Sequence, residues 1–246
     1  VKPDGVLGMG GFVTGPGGLA AWLMGKPLLI HEQNAVAGLT NKLLAKFASV
    51  VMEAFPHSFP AGVKTVVTGN PVRKEICELP AKTEPKGQGD KVRVLVVGGS
   101  LGAVAINQTV PEAMALDGQN LMFDIVHQTG KKNLEATQAQ YLKEGVKAEV
   151  VPFIDDMKSA YEWADVVICR AGALTVSELA MAAKPAIFVP LPHAVDDHQT
   201  KNAMYLVNCG AAKLIAQKEF NGTTLGQMLN SLFISDKVVQ QMSKSA

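Results

Sequence analysis

The sequence predicts an α/β protein made of two parallel-sheet units in succession, with the first unit incomplete. Three observations predict it. Short β-type apolar runs alternate with amphipathic stretches along nearly the whole chain, the signature of βα units and hence of parallel strands. Glycine-rich turns follow directly on several of those runs, as at Gly8–Gly18 and Gly98–Gly102. A charged segment from Leu79 to Lys91, carrying Pro80, Pro85, Gly87 and Gly89, interrupts the pattern as an exposed loop, just after a boundary near Gly69-Asn70-Pro71.

In the first unit, residues 1–70, a strand is expected near Val6–Leu7, followed by a glycine turn and a helix near Leu19–Met24. A strand at Leu28–Ile30, a helix at Leu39–Ala48 and strands at Val50–Met52 and Thr65–Val67 complete it. About 70 residues is little for a whole parallel domain, so this is the remaining part of a larger one. The second unit, residues 71–246, repeats the alternation more regularly. Strands are expected at Arg93–Val97, Phe123–Val126, Ala148–Val151, Val166–Cys169 and Ala186–Val189, giving at least five βα units. Such a sheet is doubly wound and gathers ligands at the carboxyl ends of its strands.

Composition narrows the class. The 246 residues are 48% hydrophobic and 18% charged, and 23 basic against 22 acidic side chains give a net charge of +1. No basic run offers a nucleic acid its phosphate contacts. Cys77, Cys169 and Cys209 stand far apart, without a C-x-x-C pair, which indicates neither a disulfide framework nor a thiolate metal site. The apolar stretch Gly17–Ile30 is broken by Lys26 and Pro27 and is too short to span a bilayer. The chain begins Val-Lys-Pro-Asp-Gly and stops at Ser243-Lys244-Ser245-Ala246 with helical patterning unresolved, so it reads as an internal piece of a longer protein.

Val94-Leu95-Val96-Val97 runs into Gly98-Gly99-Ser100-Leu101-Gly102-Ala103. Glycines permit the tight turn and a close approach by a ligand, Ser100 can cap the following helix, and the helix N-terminus offers unpaired N–H groups to a diphosphate. The bland alternative is a tight βα turn and nothing more. The same residues fit the G-x-S-x-G elbow of hydrolases, with Asp165 and His193 or His198 as partners, but that reading leaves the other glycine turns unexplained. A dinucleotide site fits less well, because the turn is not G-x-G-x-x-G and the next strand runs into His127 and Gln128 rather than an acid.

At Cys169-Arg170-Ala171-Gly172-Ala173-Leu174-Thr175-Val176-Ser177-Glu178, small residues free backbone amides for phosphate oxygens. Glu178, one turn further, is placed either to accept from ribose hydroxyls or to close a capping box begun by Thr175. The residues alone leave both readings open. His193, Asp196, Asp197 and His198 carry metal-ligand types but fit no zinc spacing, and there is no D-x-D pair. Gln199 stands just inside the following helix with an amide free to reach sugar hydroxyls. Gly8–Gly18 is either a second phosphate cradle or a flexible connection, and His31-Glu32-Gln33-Asn34 ends a strand where α/β clefts collect polar groups.

Six blocks in order, Gly8-Met-Gly-Gly with Gly15-Pro-Gly-Gly, His31-Glu-Gln-Asn, Gly69-Asn-Pro-Val-Arg73, Gly98-Gly-Ser100 with Gly102-Ala, Phe153-Ile-Asp-Asp-Met157 and Arg170-Ala-Gly-Ala-Leu-Thr-Val-Ser-Glu178, resemble the MurG family. These are transferases that add N-acetylglucosamine to lipid I. The resemblance implies a GT-B architecture of two doubly wound domains, with UDP-N-acetylglucosamine on the C-terminal one and the lipid-linked acceptor on the N-terminal one. It implies a diphosphate held by Ser100 and the amides of Ala173, Leu174 and Thr175, with Val176 and Ser177 on the same turn. It further implies a ribose on Glu178, a uracil on the Ile154 backbone, Arg73 beside the nucleotide, and Asn34 and Gln199 at the donor sugar. Gly10, Gly11 and His31 would face the acceptor.

The implied reaction is an inverting attack by the C4 hydroxyl of N-acetylmuramic acid of lipid I, giving lipid II, without metal or cofactor. The implied place is the cytoplasmic face of the bacterial inner membrane, as a peripheral protein. The family's first glycine loop, with a His beside the acceptor, and its last helix have no counterpart here. The general base is therefore expected outside this chain, and the piece alone is expected to bind donor without turnover. A GT-B-like UDP-sugar epimerase and a non-catalytic nucleotide-sugar-binding subunit are the competing readings.

Overall fold

The computed structural model describes residues 2–79, 91–99, 102–117, 122–192, 197–233 and 236–246. Two parallel sheets organise them. The first has the order β1-β2-β3-β4, from β1 (Val6–Gly8), β2 (Leu28–Glu32), β3 (Val50–Glu53) and β4 (Val66–Val67). Between them run α1 (Thr14–Leu23) and α2 (Leu39–Leu44). Helix α1 starts inside the glycine-rich stretch, five residues before the expected Leu19, so most of that stretch is helix and not a flexible connection. Pro16 is tolerated because it stands in the first turn, where no intrahelical N–H bond is lost. Gly18 has a packing reason, since a Cβ there would lie 2.8 Å from Leu44 Cδ1 of α2.

The second sheet comprises β5 (Val92–Val97), β6 (Phe123–Gln128), β7 (Glu149–Val151), β8 (Val166–Cys169), β9 (Ala186–Phe188) and β10 (Ala212–Leu214), in the order β10-β9-β8-β5-β6-β7. Every pairing is parallel. The order reverses between β5 and β8, which makes this sheet doubly wound and marks the crevice where such sheets bind ligands. The connecting helices are α3 (Lys74–Cys77), α4 (Val104–Asp117), α5 (Leu134–Lys143), α6 (Met157–Trp163), α7 (Ala173–Met181) and α8 (His198–Asn208). The chain continues through α9 (Gly222–Phe233) and α10 (Asp236–Ser245).

Both faces of this sheet are covered, so its strands read as continuous apolar runs. Val94 and Val96 face one core, with Ile106, Ile168 and Leu225. Leu95, between them in sequence, faces the other, with Val167, Leu179 and Phe188. That second core also takes in Phe55, from the loop after β3, and Ile76 of α3. Helix α3 packs on α6 and α7, so the chain has passed to the second sheet by Lys74.

Candidate functional site

The carboxyl ends of β5 and β8 open onto two turns. After β5, Gly98 donates its N–H to Gln128 O (2.9 Å), and a Cβ on Gly98 would lie 2.8 Å from that same oxygen. Gly99 and Gly102 take φ of 77° and 78°, the left-handed region glycine favours. Ser100 lies outside the described residues, as do His193 and Asp196. Below the turn sits a buried network: Tyr141 Oη donates to His127 Nδ1 (2.9 Å), His127 Nε2 to Asn107 Oδ1 (3.0 Å), and Asn107 Nδ2 to Thr129 O (3.0 Å). Burial pushes the His127 pKa down to about 3 and that of Tyr141 up.

After β8, Gly172 caps α7 with extended backbone and no side-chain cap. Val176 N–H is the first in the helix to find a carbonyl, that of Gly172 (2.9 Å). The amides of Ala173, Leu174 and Thr175 thus have no acceptor among the described residues and stand at a helix N-terminus, where a partial positive charge favours anions. Val176, on the same turn, has its amide bonded within the helix and its side chain fully buried. Ser177 Oγ donates to Ala173 O (3.0 Å) and accepts from Asn70 Nδ2 (3.0 Å).

Glu178 does not form the capping box. Helix α7 begins at Ala173, which puts Thr175 at the third helical position rather than at the cap. The carboxylate instead accepts from Arg73 Nη2 at Oε1 (3.1 Å) and from Tyr161 Oη at Oε2 (3.0 Å). Burial, with this carboxylate as the second cause, pushes the Tyr161 pKa up and keeps its hydroxyl a donor. Ile154 is half-buried beside the same core, and its backbone has no hydrogen-bond partner among the described residues. Gln199 Oε1 accepts from Leu191 N (2.9 Å), leaving its Nε2 without a partner among the described residues.

Opposite these turns stands the end of β2. Glu32, 3% exposed, accepts from Asn34 N and Nδ2, Gly38 N and Asn41 Nδ2, so the carboxylate organises the loop from inside. His31 is buried, with Nε2 on Gly69 O (3.0 Å) and Nδ1 facing Gln33 Nε2 (3.2 Å). Both ring nitrogens are therefore occupied within the protein. Gly10 and Gly11 take φ of 81° and 76° in the turn before α1, and Thr14 Oγ1 closes that turn onto Gly10 O.

The hydrolase alternative fails on geometry. Asp165 precedes β8 and accepts from Arg93 N (2.7 Å) at the start of β5, the opposite end of the sheet from the glycine turn. Four strand residues separate the two ends, roughly 13 Å. Among the described residues no three His, Cys, Asp or Glu side chains gather as a metal site. Sequence reasoning missed Tyr161, Asn70 and Asn202, because each acts through a partner distant in the chain.

A doubly wound sheet with free helix amides at its switch point, and a carboxylate steered by Arg73 and Tyr161, defines a nucleotide-binding α/β protein. The chain belongs to glycosyltransferase family 28: the model of that family's C-terminal domain matches residues 93–246, and the model of its N-terminal domain matches residues 1–53. It is 55% identical, over its whole length and 68% of the relative's, to the UDP-N-acetylglucosamine–N-acetylmuramyl-(pentapeptide) pyrophosphoryl-undecaprenol N-acetylglucosamine transferase of Marinobacter nauticus. Identity to the Aeromonas hydrophila enzyme of the same name is 53%, over the whole chain and 67% of that protein. The crystal structure of Acinetobacter baumannii MurG superposes with a TM-score of 0.83 at 46% identity, covering 98% of this chain and 68% of that one. A putative UDP-N-acetylglucosamine 2-epimerase from Listeria monocytogenes shares the fold at 16% identity, with a TM-score of 0.70 over 99% of this chain and 69% of that one.

Proposed function

We propose that this chain carries the donor site for inverting transfer of N-acetylglucosamine from UDP-N-acetylglucosamine to the C4 hydroxyl of the N-acetylmuramyl unit of lipid I, giving lipid II. The observation that carries the reading is the mouth of α7, with three unpaired amides and Glu178 held ready a turn away by Arg73 and Tyr161. Residues 71–246 form the donor domain in this reading and residues 1–70 the acceptor side. The amides of Ala173, Leu174 and Thr175 take the diphosphate together with Ser100 of the glycine turn. Glu178 accepts from the ribose hydroxyls, with its angle set by its two donors. The Ile154 backbone pairs with the uracil edge, while Asn34 and Gln199 reach the sugar from opposite sides of the cleft.

The acceptor oxygen attacks the anomeric carbon, the bond from that carbon to the diphosphate oxygen breaks, and UDP leaves with the electron pair. Charge gathers on the diphosphate as it departs. Donors fixed beforehand at a helix N-terminus stabilise that charge without reorganising. The turn at Gly10 and Gly11 faces the lipid diphosphate, with His31 behind it and linked to its edge through Gln33, whose Nε2 also meets Met9 Sδ (3.8 Å).

Contact with the inner leaflet is supported by apolar side chains exposed before, on and directly after α1, with Phe12 88%, Leu23 70% and Met24 69% exposed, near Lys26. No helix among the described residues is long and apolar enough to cross a membrane. A lipid-linked substrate and this apolar surface together support a peripheral position on the cytoplasmic face.

Calorimetric titration tests the donor site. UDP and UDP-N-acetylglucosamine are expected to bind and NADH is not. Glu178→Ala should weaken UDP by about tenfold, on the order of 1.4 kcal/mol, and also lower the melting temperature, because the buried Tyr161 hydroxyl loses its acceptor. Unchanged UDP affinity in that variant would remove Glu178 from the site.

A further inference from the structure

Asn202 of α8 is completely buried, yet it bonds to the segments that follow a strand of each sheet. Its Oδ1 accepts from Ala35 N (2.7 Å), and its Nδ2 donates to Asn34 Oδ1 (3.2 Å) and to Ala171 O (3.3 Å). These partners fix which atom is which, because an amide N–H can only meet the oxygen and a backbone carbonyl can only meet the nitrogen. The order propagates outward. With Asn34 Oδ1 taken by Asn202, Asn34 Nδ2 turns to Glu32 Oε1 (3.2 Å), so the Asn34 carboxamide is held at both ends in one orientation.

The inner end of the same group is as specific. Ala171 directly precedes Gly172, the cap of α7, so Asn202 spaces the exit of β2 from the helix mouth with the unpaired amides. We propose that Asn202 is a positioning residue for the donor sugar: it sets the Asn34 carboxamide at a fixed distance and angle from the α7 amides across the two sheets. The inference rests on the donor-site reading given above. The nucleotide half of the donor is held by residues of the second sheet, whereas the sugar half needs Asn34 from the first. Only the sugar depends on the spacing Asn202 imposes.

Dissociation constants for UDP and for UDP-N-acetylglucosamine, measured side by side, separate these halves. Asn202→Ala is expected to change UDP affinity by less than twofold and to weaken UDP-N-acetylglucosamine fivefold or more. Asn34→Ala removes the same contact from the half-exposed side without opening a buried hole, and should reproduce the selective loss. The double variant should be no weaker than either single variant, since both delete one arrangement. Equal losses for UDP and UDP-N-acetylglucosamine, or additive losses in the double variant, would overturn the positioning role and leave Asn202 as ordinary structural support. If wild-type protein bound neither ligand, the donor-site reading itself would fall, a result distinct from both.

Discussion

His127 shows how one buried side chain makes stability depend on pH. Its ring is fully buried, accepts from Tyr141 and donates to Asn107, so the folded state holds it neutral with a pKa near 3 against an ordinary 6.5. Between those values the unfolded chain binds a proton that the folded chain refuses. Stability therefore falls as pH drops below about 6.5, with a limiting slope of about 1.4 kcal/mol per pH unit. His127→Gln can make both hydrogen bonds but does not titrate. Its denaturation midpoint should lie below wild type at pH 7.5, and the difference should shift in the variant's favour by about 2.7 kcal/mol by pH 4.5. Parallel curves for the two proteins would show that His127 is not the group responsible. The sequence placed His127 at a strand end and could not assign its use, because its partners lie 20 residues before it and 14 after. The same limit applied to Glu178, where local spacing fitted a capping box equally well and only Tyr161, 17 residues away, and Arg73, 105 away, decide between the readings.

At the scale of elements, sterics decide which residue can stand at Gly102, after β5. A Cβ at Gly102 would lie 2.2 Å from Asn133 Nδ2 and 2.3 Å from Thr129 O, and the backbone there has positive φ. The asparagine side chain can swing away, but the Thr129 carbonyl is pinned by Asn107 Nδ2. Gly102→Ala should therefore cost about 2–4 kcal/mol, combining left-handed strain with a backbone clash. Urea denaturation measures that cost, and a variant within 0.5 kcal/mol of wild type, in the range of about half a kcal/mol typical of neutral surface changes, would contradict it. Strand–turn–helix order was legible here because a continuous apolar run ends in glycines, and sequence reading found five of the six strands of this sheet. It missed β10, whose three residues, Ala212–Leu214, are too few to establish a period and lie between the end of α8 and a 3₁₀ turn. It started α1 late for the opposite reason: local propensity opposes a helix through Gly15, Gly17 and Gly18, and packing of Gly18 against Leu44 outweighs it.

Across the whole molecule, the two sheets share a core that runs through their junction. Phe55, on the loop after β3, is 3% exposed and meets the Tyr205 ring of α8 edge-on at a centroid distance of 5.0 Å. It belongs to the same apolar cluster as Leu95, Leu179 and Phe188 of the second sheet. Polar ties lie beside it, from Asn202 to Ala35 and from Asn70 to Gln33 and Ser177. Residues that meet here are separated by up to 168 positions, so no reading of local pattern could pair them. A shared core couples the unfolding of both units, and wild-type protein should melt in one calorimetric transition. Truncating a buried Phe to Ala costs about 3–5 kcal/mol. In Phe55→Ala that cost falls on the junction, since the second sheet keeps its own core on its other face, around Val94, Val96 and Ile168. The expected thermogram therefore splits in two: the first sheet, whose separate core is small, melts earlier, and the second stays near the wild-type temperature. If Phe55→Ala instead shifted a single transition downward as a whole, the polar ties alone would be enough to keep the sheets cooperative. Combining it with Asn202→Ala would then be the change that separates them.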